Sequence, residues 1–456
     1  MGYAHGSVSD VVRKIVLFSD YLLCVKLKAF IFTLNYVGNM NQTMDIKMYE
    51  SPKKNGIFTA SVKVSSEMTN EYVHIALMLD VSGSMEGERL IALKRTLLAL
   101  LHTLSPHDCL TIVTYSSNAT MLCSYNSVGT DMDPWISLID RLKADGNTNI
   151  EAGFSVLAKY SRATPHAIIL LTDGHVNMGA TSARAITLPL ETNHTFANTM
   201  IFTLGFGNDH NQIMLRDIAL NTQGNYFYCD KAEDLPQTFG SILGILRDRP
   251  AEDIEISVPH EYIWLERHLP KDKRTIHLNF IPGSQEQRFV FRKNVDKPDA
   301  APYLSVQYTM KGIGRQYVCT FPVANTLDPI VDAEMARLDT AAVINHASNL
   351  LSGGHIVDAI TKLEDQLKAL EADTSIVSLP QVMGLRSLLL DLLDGLKTRV
   401  ADPSTLLSHM TSVTTSLVTQ RNSAFNSPAL ERMYTTSAQR SNTANMTTEY
   451  DNIIQQ

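Results

Sequence analysis

The sequence predicts an α/β fold: a doubly wound, mostly parallel sheet inserted in an antiparallel β-sandwich and followed by an α-helical hairpin or bundle. Three observations predict it. Two apolar runs without polar alternation, Val73 to Leu79 and Ile168 to Leu171, read as strands covered on both faces. Segments with period-two alternation lie on either side of that region, at residues 46–64 and 254–321. Beyond residue 332 the apolar spacing becomes that of amphipathic helices.

At 456 residues the chain is long enough for two or three domains, and its 44% hydrophobic and 19% charged composition is that of a globular protein. Residues 1–43 are a leader of uncertain structure. Val11 to Leu34 is apolar, but Arg13, Lys14, Asp20, Lys26 and Lys28 interrupt it too often for a membrane span. It reads either as a peripheral amphipathic helix or as a stretch upstream of a start at Met40 or Met44. Residues 44–70 supply two strands, Ile46 to Tyr49 and Ile57 to Val64, with Pro52 and Gly56 between them.

Residues 71–249 alternate strand and helix, the pattern of a doubly wound sheet. After the first buried strand, Glu88 to Leu104 carries Leu90, Leu93, Leu97, Leu100 and Leu101 on one face of a helix. Cys109 to Tyr115 is the next strand and Thr120 to Cys123 a short edge strand. Helices follow at Asp133 to Leu142, where Pro134 occupies the tolerant first turn, and at Glu151 to Tyr160. Thr199 to Phe206 is a further core strand, and Ile213 to Leu220, Tyr226 to Tyr228 and Leu235 to Leu246 complete the alternation. Residues 250–325 return to period two, with strands at Ile254 to Val258, Thr275 to Phe280, Arg288 to Arg292, Leu304 to Tyr308 and Gln316 to Phe321. Counted with the two early strands they make about seven, enough for a sandwich. The central region therefore enters and leaves through one β-module, as close domain termini permit. Residues 330–420 are helical, with stripes at Met335, Leu338 and Ala342, at Ile356, Ile360, Leu363, Leu367 and Leu370, and at Leu385, Leu389, Leu392 and Leu396. Residues 421–456 are rich in Ser, Thr and Asn and are expected to be disordered.

The chemistry concentrates where the buried strands end. Asp80, Ser82 and Ser84 follow the first within five positions, with Gly83 allowing a sharp turn. Asp173 follows the second, and Asp145-Gly-Asn-Thr-Asn-Ile150 places Thr148 on a turn that opens a helix. In an open α/β sheet the carboxyl ends of strands share one rim, where ligands bind. Two carboxylates and three hydroxyls on that rim suit a hard divalent cation, which takes oxygen ligands.

This pattern resembles the von Willebrand factor A family and its metal-ion-dependent adhesion site, over Glu71 to Arg249. The resemblance implies Asp80, Ser82, Ser84, Thr148 and Asp173 as metal ligands, the serines directly and the carboxylates directly or through water. The implied ion is Mg²⁺, with Mn²⁺ or Ca²⁺ as alternatives. The order of strands, central domain, strands and helices also resembles intracellular proteins that pair this domain with a β-sandwich and helical integration domain, as plant RING-type ubiquitin ligases do. No Cys/His zinc module is present in the sequence, so ligase activity does not carry over. The central domain is similar as well to that of the inter-alpha-trypsin inhibitor heavy chains.

Five candidate ligands leave an ion with an outward position, and a carboxylate is the best oxygen to fill it. The expected function is thus a non-catalytic interaction module that binds an Asp or Glu of a protein partner through a bridging cation. A scaffold subunit with a purely structural metal is the alternative. A metal-dependent hydrolase is the least supported reading: Glu86, Glu88 and His175 are the only nearby general-base candidates, and no nucleophile elbow or phosphate loop occurs. A net charge of −8 argues against nucleic acid as partner. The five scattered cysteines, Cys24, Cys109, Cys123, Cys229 and Cys319, form no disulfide or zinc pattern and favour an intracellular (cytoplasmic) setting.

Overall fold

A computed structural model gives the architecture; the structure describes residues 43–455 except 66–71, 197–198, 232, 267–273, 284, 295–301, 311–312, 321–326, 399–402 and 424–426. The readings of the leader, and of Cys24 within it, lie outside the described residues.

Strands β1 (Thr43–Glu50) and β2 (Ile57–Ser65) form a hairpin. The chain then builds the central sheet. It contains β3 (His74–Asp80), helix α1 (Glu88–Thr103), β4 (Cys109–Tyr115), β5 (Ala119–Ser127), α2 (Asp133–Asp140), α3 (Ile150–Tyr160) and β6 (Ala167–Thr172). After these come α4 (Ala183–Glu191), β7 (Met200–Phe206), α5 (Gln212–Asn221), β8 (Tyr226–Cys229) and α6 (Asp234–Arg247). Strand order is β5-β4-β3-β6-β7-β8, parallel except for β5, which runs antiparallel to β4. Every residue of β3, β4, β6 and β7 is buried, as expected of strands covered on both faces. Ile75, Leu77 and Leu79 enter one apolar cluster with α1 and α6, while Ala76 and Met78 enter another with α3 and α5.

The chain returns to the first module with β9 (Ala251–Ser257), β10 (Tyr262–Trp264), β11 (Thr275–Ile281), β12 (Glu286–Lys293), β13 (Tyr303–Met310) and β14 (Ile313–Thr320). Two antiparallel sheets result, β1-β2-β12-β10 and β11-β9-β13-β14. Their inward residues, among them Met48, Phe58, Ile256 and Phe291, form one cluster. The central domain is inserted between β2 and β9. The edge strand β5 is nine residues long rather than four, and β10 and α4 escaped sequence reasoning: one has three residues and the other contains Pro189.

Helices α7 (Ile330–Ser352), α8 (Ile356–Ala372), α9 (Pro380–Thr398) and α10 (Pro403–Thr419) build a leucine-rich cluster of their own. The expectation of disorder from residue 421 is corrected by α11 (Pro428–Tyr434) and α12 (Ser437–Gln455). Composition misleads here because few large apolar residues are needed: Ala438, Asn442, Met446 and Tyr450 recur every fourth position and lie buried, the last two in the cluster beneath α1 and α6. Among the described residues no helix is long and apolar enough to cross a membrane, and Cys109, Cys123 and Cys229 are free thiols.

The link from central domain to sandwich is closed by Asp248, at the end of α6, whose Oδ1 accepts the Gly283 N–H at 2.9 Å. Burial pushes this carboxyl up to about 6, against the opposing pull of that hydrogen bond. A folded-state value above the ordinary 3.8 means that the folded chain holds the proton more tightly, so stability falls as pH rises through about 6. Asp248→Asn keeps an acceptor for Gly283 and removes the charge. It should gain about 1 kcal/mol at pH 7.5 and nothing near pH 4 in urea unfolding, after discounting the shift for partial solvation.

Candidate functional site

Strands β3 and β6 are parallel neighbours, with Leu79 opposite Leu171. From β3 the sheet grows one way through β4 and β5 and the other way through β6, β7 and β8. The carboxyl ends of β3 and β6 therefore flank the point where winding reverses, and an open α/β sheet leaves its crevice there.

Four of the five sequence-predicted residues form one hydrogen-bonded chain at that point. Asp80, fully buried, accepts the Ser82 N–H through Oδ1 at 2.9 Å. Ser82 Oγ lies 3.0 Å from Ser84 Oγ, and Ser84 Oγ donates to Asp173 Oδ1 at 2.7 Å. Asp173 and Ser82 are buried whereas Ser84 is exposed, so the group opens to solvent on the Ser84 side. The fifth residue borders the same space. A β-carbon placed on Gly174 would lie 3.5 Å from Ser84 Oγ and 3.9 Å from Thr148 Oγ1.

The Thr148 loop is held to both carboxylate loops through its backbone. Gly146 sits at φ +81°, and its carbonyl accepts the Gly83 N–H at 3.0 Å. The Asp145 N–H reaches the Val81 carbonyl at 2.9 Å, and the Thr148 N–H reaches Asn177 Oδ1 at 2.8 Å. Asn149 then caps α3 by accepting from the Ala152 N–H at 3.1 Å. Sequence reasoning missed three supports: Thr172, whose hydroxyl donates to Asp80 Oδ2 at 2.7 Å; Asn177; and Arg89, which pairs with Asp173 Oδ2. Adjacency was the available signal for Thr172, which precedes Asp173, and Arg89 stands in the first turn after the serine loop. His175, exposed, lies 3.7 Å from the Asp209 carboxylate instead.

Burial dominates the electrostatics. It pushes the Asp80 carboxyl up to about 6, against the Ser82 and Thr172 hydrogen bonds, and nearby Asp173 adds a small like-charge push. Beneath it, buried Tyr115 donates to the Leu171 carbonyl at 2.6 Å and its phenol is pushed well above its ordinary value. No group of three or more His, Cys, Asp or Glu side chains among the described residues is placed to hold a metal, so hydroxyl oxygens must complete any such site.

The sequence model of the von Willebrand factor type A domain matches residues 74–241, from the start of β3 into α6. This part of the chain is a von Willebrand factor type A domain. An uncharacterized protein of Synechocystis sp. is 31% identical over 171 residues, 37% of this chain and 40% of its own length. The human inter-alpha-trypsin inhibitor heavy chain H3 is 27% identical over 176 residues, 36% of this chain and 20% of its own length. The chain thus spans well under half of either relative, and the aligned share is on the scale of the A domain. Beyond it, a solved structure described as von Willebrand factor type A from Catenulispora acidiphila superposes over 83% of this chain and 98% of its own, with TM-score 0.61 and 13% identity. At that identity the likeness is one of fold, and it reaches past the A domain into the flanking sheets and helices.

Proposed function

We propose that the A domain is a non-catalytic interaction module that grips a protein partner's Asp or Glu through a divalent cation, Mg²⁺ first, held by Asp80, Ser82, Ser84, Thr148 and Asp173. The oxygen cluster at the open rim carries this reading. Adjacent ligands of an octahedral Mg²⁺ stand about 2.9 Å apart, given arms of about 2.0–2.1 Å. The Ser82–Ser84 and Ser84–Asp173 oxygens are separated by 3.0 and 2.7 Å. Hydroxyls and carboxylates are also the hard donors such an ion prefers.

Charge selects the ligand. Two carboxylates would balance a divalent ion, and Arg89 beside Asp173 leaves the rim net positive. An incoming carboxylate restores neutrality, whereas an ammonium or a neutral amide does not. When bound, the cation supplies a Lewis-acidic position for that oxygen. The chain's own residues do the rest: Thr172 and the Ser82 N–H orient Asp80, Arg89 pairs with Asp173 Oδ2, and Asn177 sets the Thr148 loop.

Asp80→Ala tests the reading, because removing a buried carboxylate that burial already disfavours leaves the fold intact. Titrated with Mn²⁺ and read by electron paramagnetic resonance, the variant should bind at least about tenfold more weakly than the parent. Partner capture from an extract should occur in Mg²⁺ and vanish both in EDTA and in the variant. Capture that survives both would exclude the metal bridge.

A further inference from the structure

The rim carries a fixed positive group of its own, Arg89, and part of that group is unspent. Its Nη1 donates to Asp173 Oδ2 at 2.5 Å and lies 3.5 Å from the Ser84 carbonyl. Among the described residues Nε and Nη2 donate to nothing. Glu86 and Glu88, its neighbours in sequence, form no ion pair with it. The arginine side chain is 38% exposed whereas Asp173 is wholly buried, so the pair opens to solvent on the arginine side.

The guanidinium is also confined. A β-carbon on Gly207 would lie 3.3 Å from Nη2 and 3.8 Å from Cζ. Gly207 has φ +73°, and its N–H is tied to the Cys229 carbonyl at 2.8 Å. The turn after β7 therefore passes the guanidinium as bare backbone, and a side chain at this position would press on Nη2.

Asp173 is shared. Its Oδ1 accepts from Ser84 Oγ at 2.7 Å, while its Oδ2 accepts from Arg89. A guanidinium there repels a divalent ion and competes with it for the carboxylate, and a half-exposed ion pair returns little stability. A carboxylate arriving from outside reverses that balance. It meets two positive groups at once, and one of them is a planar donor edge already immobilised. Resting on the metal-bridge reading, we infer that Arg89 is a second anchor for the partner's Asp or Glu, donating to the carboxylate that the cation also attracts. Arg89 thereby weakens the rim's hold on the ion alone and strengthens its hold on ion and acid together.

Those two effects have opposite signs in Arg89→Ala, and a merely structural arginine would not separate them. Mn²⁺, read by electron paramagnetic resonance, should bind the variant about threefold more tightly than the parent as the repulsion is lost. Acetate, the smallest probe of the partner's carboxylate, is followed by paramagnetic relaxation of its carboxyl carbon on the Mn²⁺-loaded full chain. It should bind the variant about tenfold more weakly, as a lost hydrogen bond to a charged group implies. Arg89→Lys keeps the charge without the fork, and should restore the parent's Mn²⁺ affinity but only part of the acetate binding. On the Mg²⁺-loaded chain acetate should shift the Arg89 Nε–H resonance, identified by its loss in Arg89→Lys, and acetamide should not. Acetate binding unchanged in Arg89→Ala, or an acetate loss matched by an equal loss of Mn²⁺, would overturn the assignment while leaving the metal bridge in place. A parent that takes up no Mn²⁺ would overturn the metal bridge, and this assignment with it.

Discussion

Replacing Gly244 with valine is expected to detach the last helix from the A domain and to destabilise the protein by about 3 kcal/mol, the upper end for overpacking a filled contact. Helices α6 and α12 approach so closely that a β-carbon on Gly244 would lie 2.4 Å from the Cα of Gln439. One on Gly240, a turn earlier, would lie 2.6 Å from the Cα of Thr443. These neighbours are backbone atoms, which cannot swing aside, so the helices must part. Separation also breaks the bond from Gln439 Nε2 to Ser241 Oγ at 2.8 Å and weakens the reach of Arg247 to Asn442 at 3.4 Å. It withdraws Met446 and Tyr450 from the main cluster. Amide hydrogen exchange should show lost protection across residues 437–455 while β3 and β6 stay protected. Gly314→Ala, where nothing lies within 4 Å of the added carbon, should change stability by less than about 0.5 kcal/mol. Unaltered exchange in Gly244→Val would mean that α12 is not held by this contact.

The same contact explains why the tail was illegible in the sequence. What lets α12 dock is the absence of side chains on α6, and a glycine pair inside an apolar helix reads from sequence as weakness rather than as an interface. The opposite held for the rim. Strands β3 and β6 advertise themselves because burial on both faces leaves only apolar residues from Ile75 to Leu79 and from Ala167 to Leu171, and the candidate site residues begin where the apolar run stops. Thr148 was legible through Gly146, whose positive φ the turn requires. Thr172, Asn177 and Arg89 carry no such mark: each is an ordinary polar residue whose role depends on register between elements distant in sequence. Charged residues inside the molecule are hidden for a related reason, since pattern reasoning places Arg and Glu on the surface.

Arg337 is the extreme case, and its loss should rank with that of Gly244. Its side chain is wholly buried at the meeting of α7, α10 and the sandwich. It donates to Glu334 Oε2 at 2.6 Å, to Glu266 Oε1 at 3.1 Å, to the Leu417 carbonyl at 2.7 Å and to the Arg288 carbonyl at 3.3 Å. Arg337→Met fills similar space but takes the paired cation from buried Glu266 and leaves Glu334 only Arg288, 3.6 Å away, for an expected loss of about 3–5 kcal/mol at pH 8. The loss should depend on pH in a fixed direction. Burial already holds the Glu266 carboxyl above its ordinary value, against the pull of Arg337, so removing the cation moves it further up. An acid whose folded value is raised loses stability as pH rises, because the folded chain binds the proton more tightly. Urea unfolding should therefore show a smaller deficit at pH 5 than at pH 8. Adding Glu266→Gln and Glu334→Gln to the variant should recover part of the deficit at pH 8 and less at pH 5, because neutral amides no longer need a counter-charge. A deficit equal at both pH values would mean that the lost packing of the arginine stem, and not the stranded charge, sets the stability of this junction.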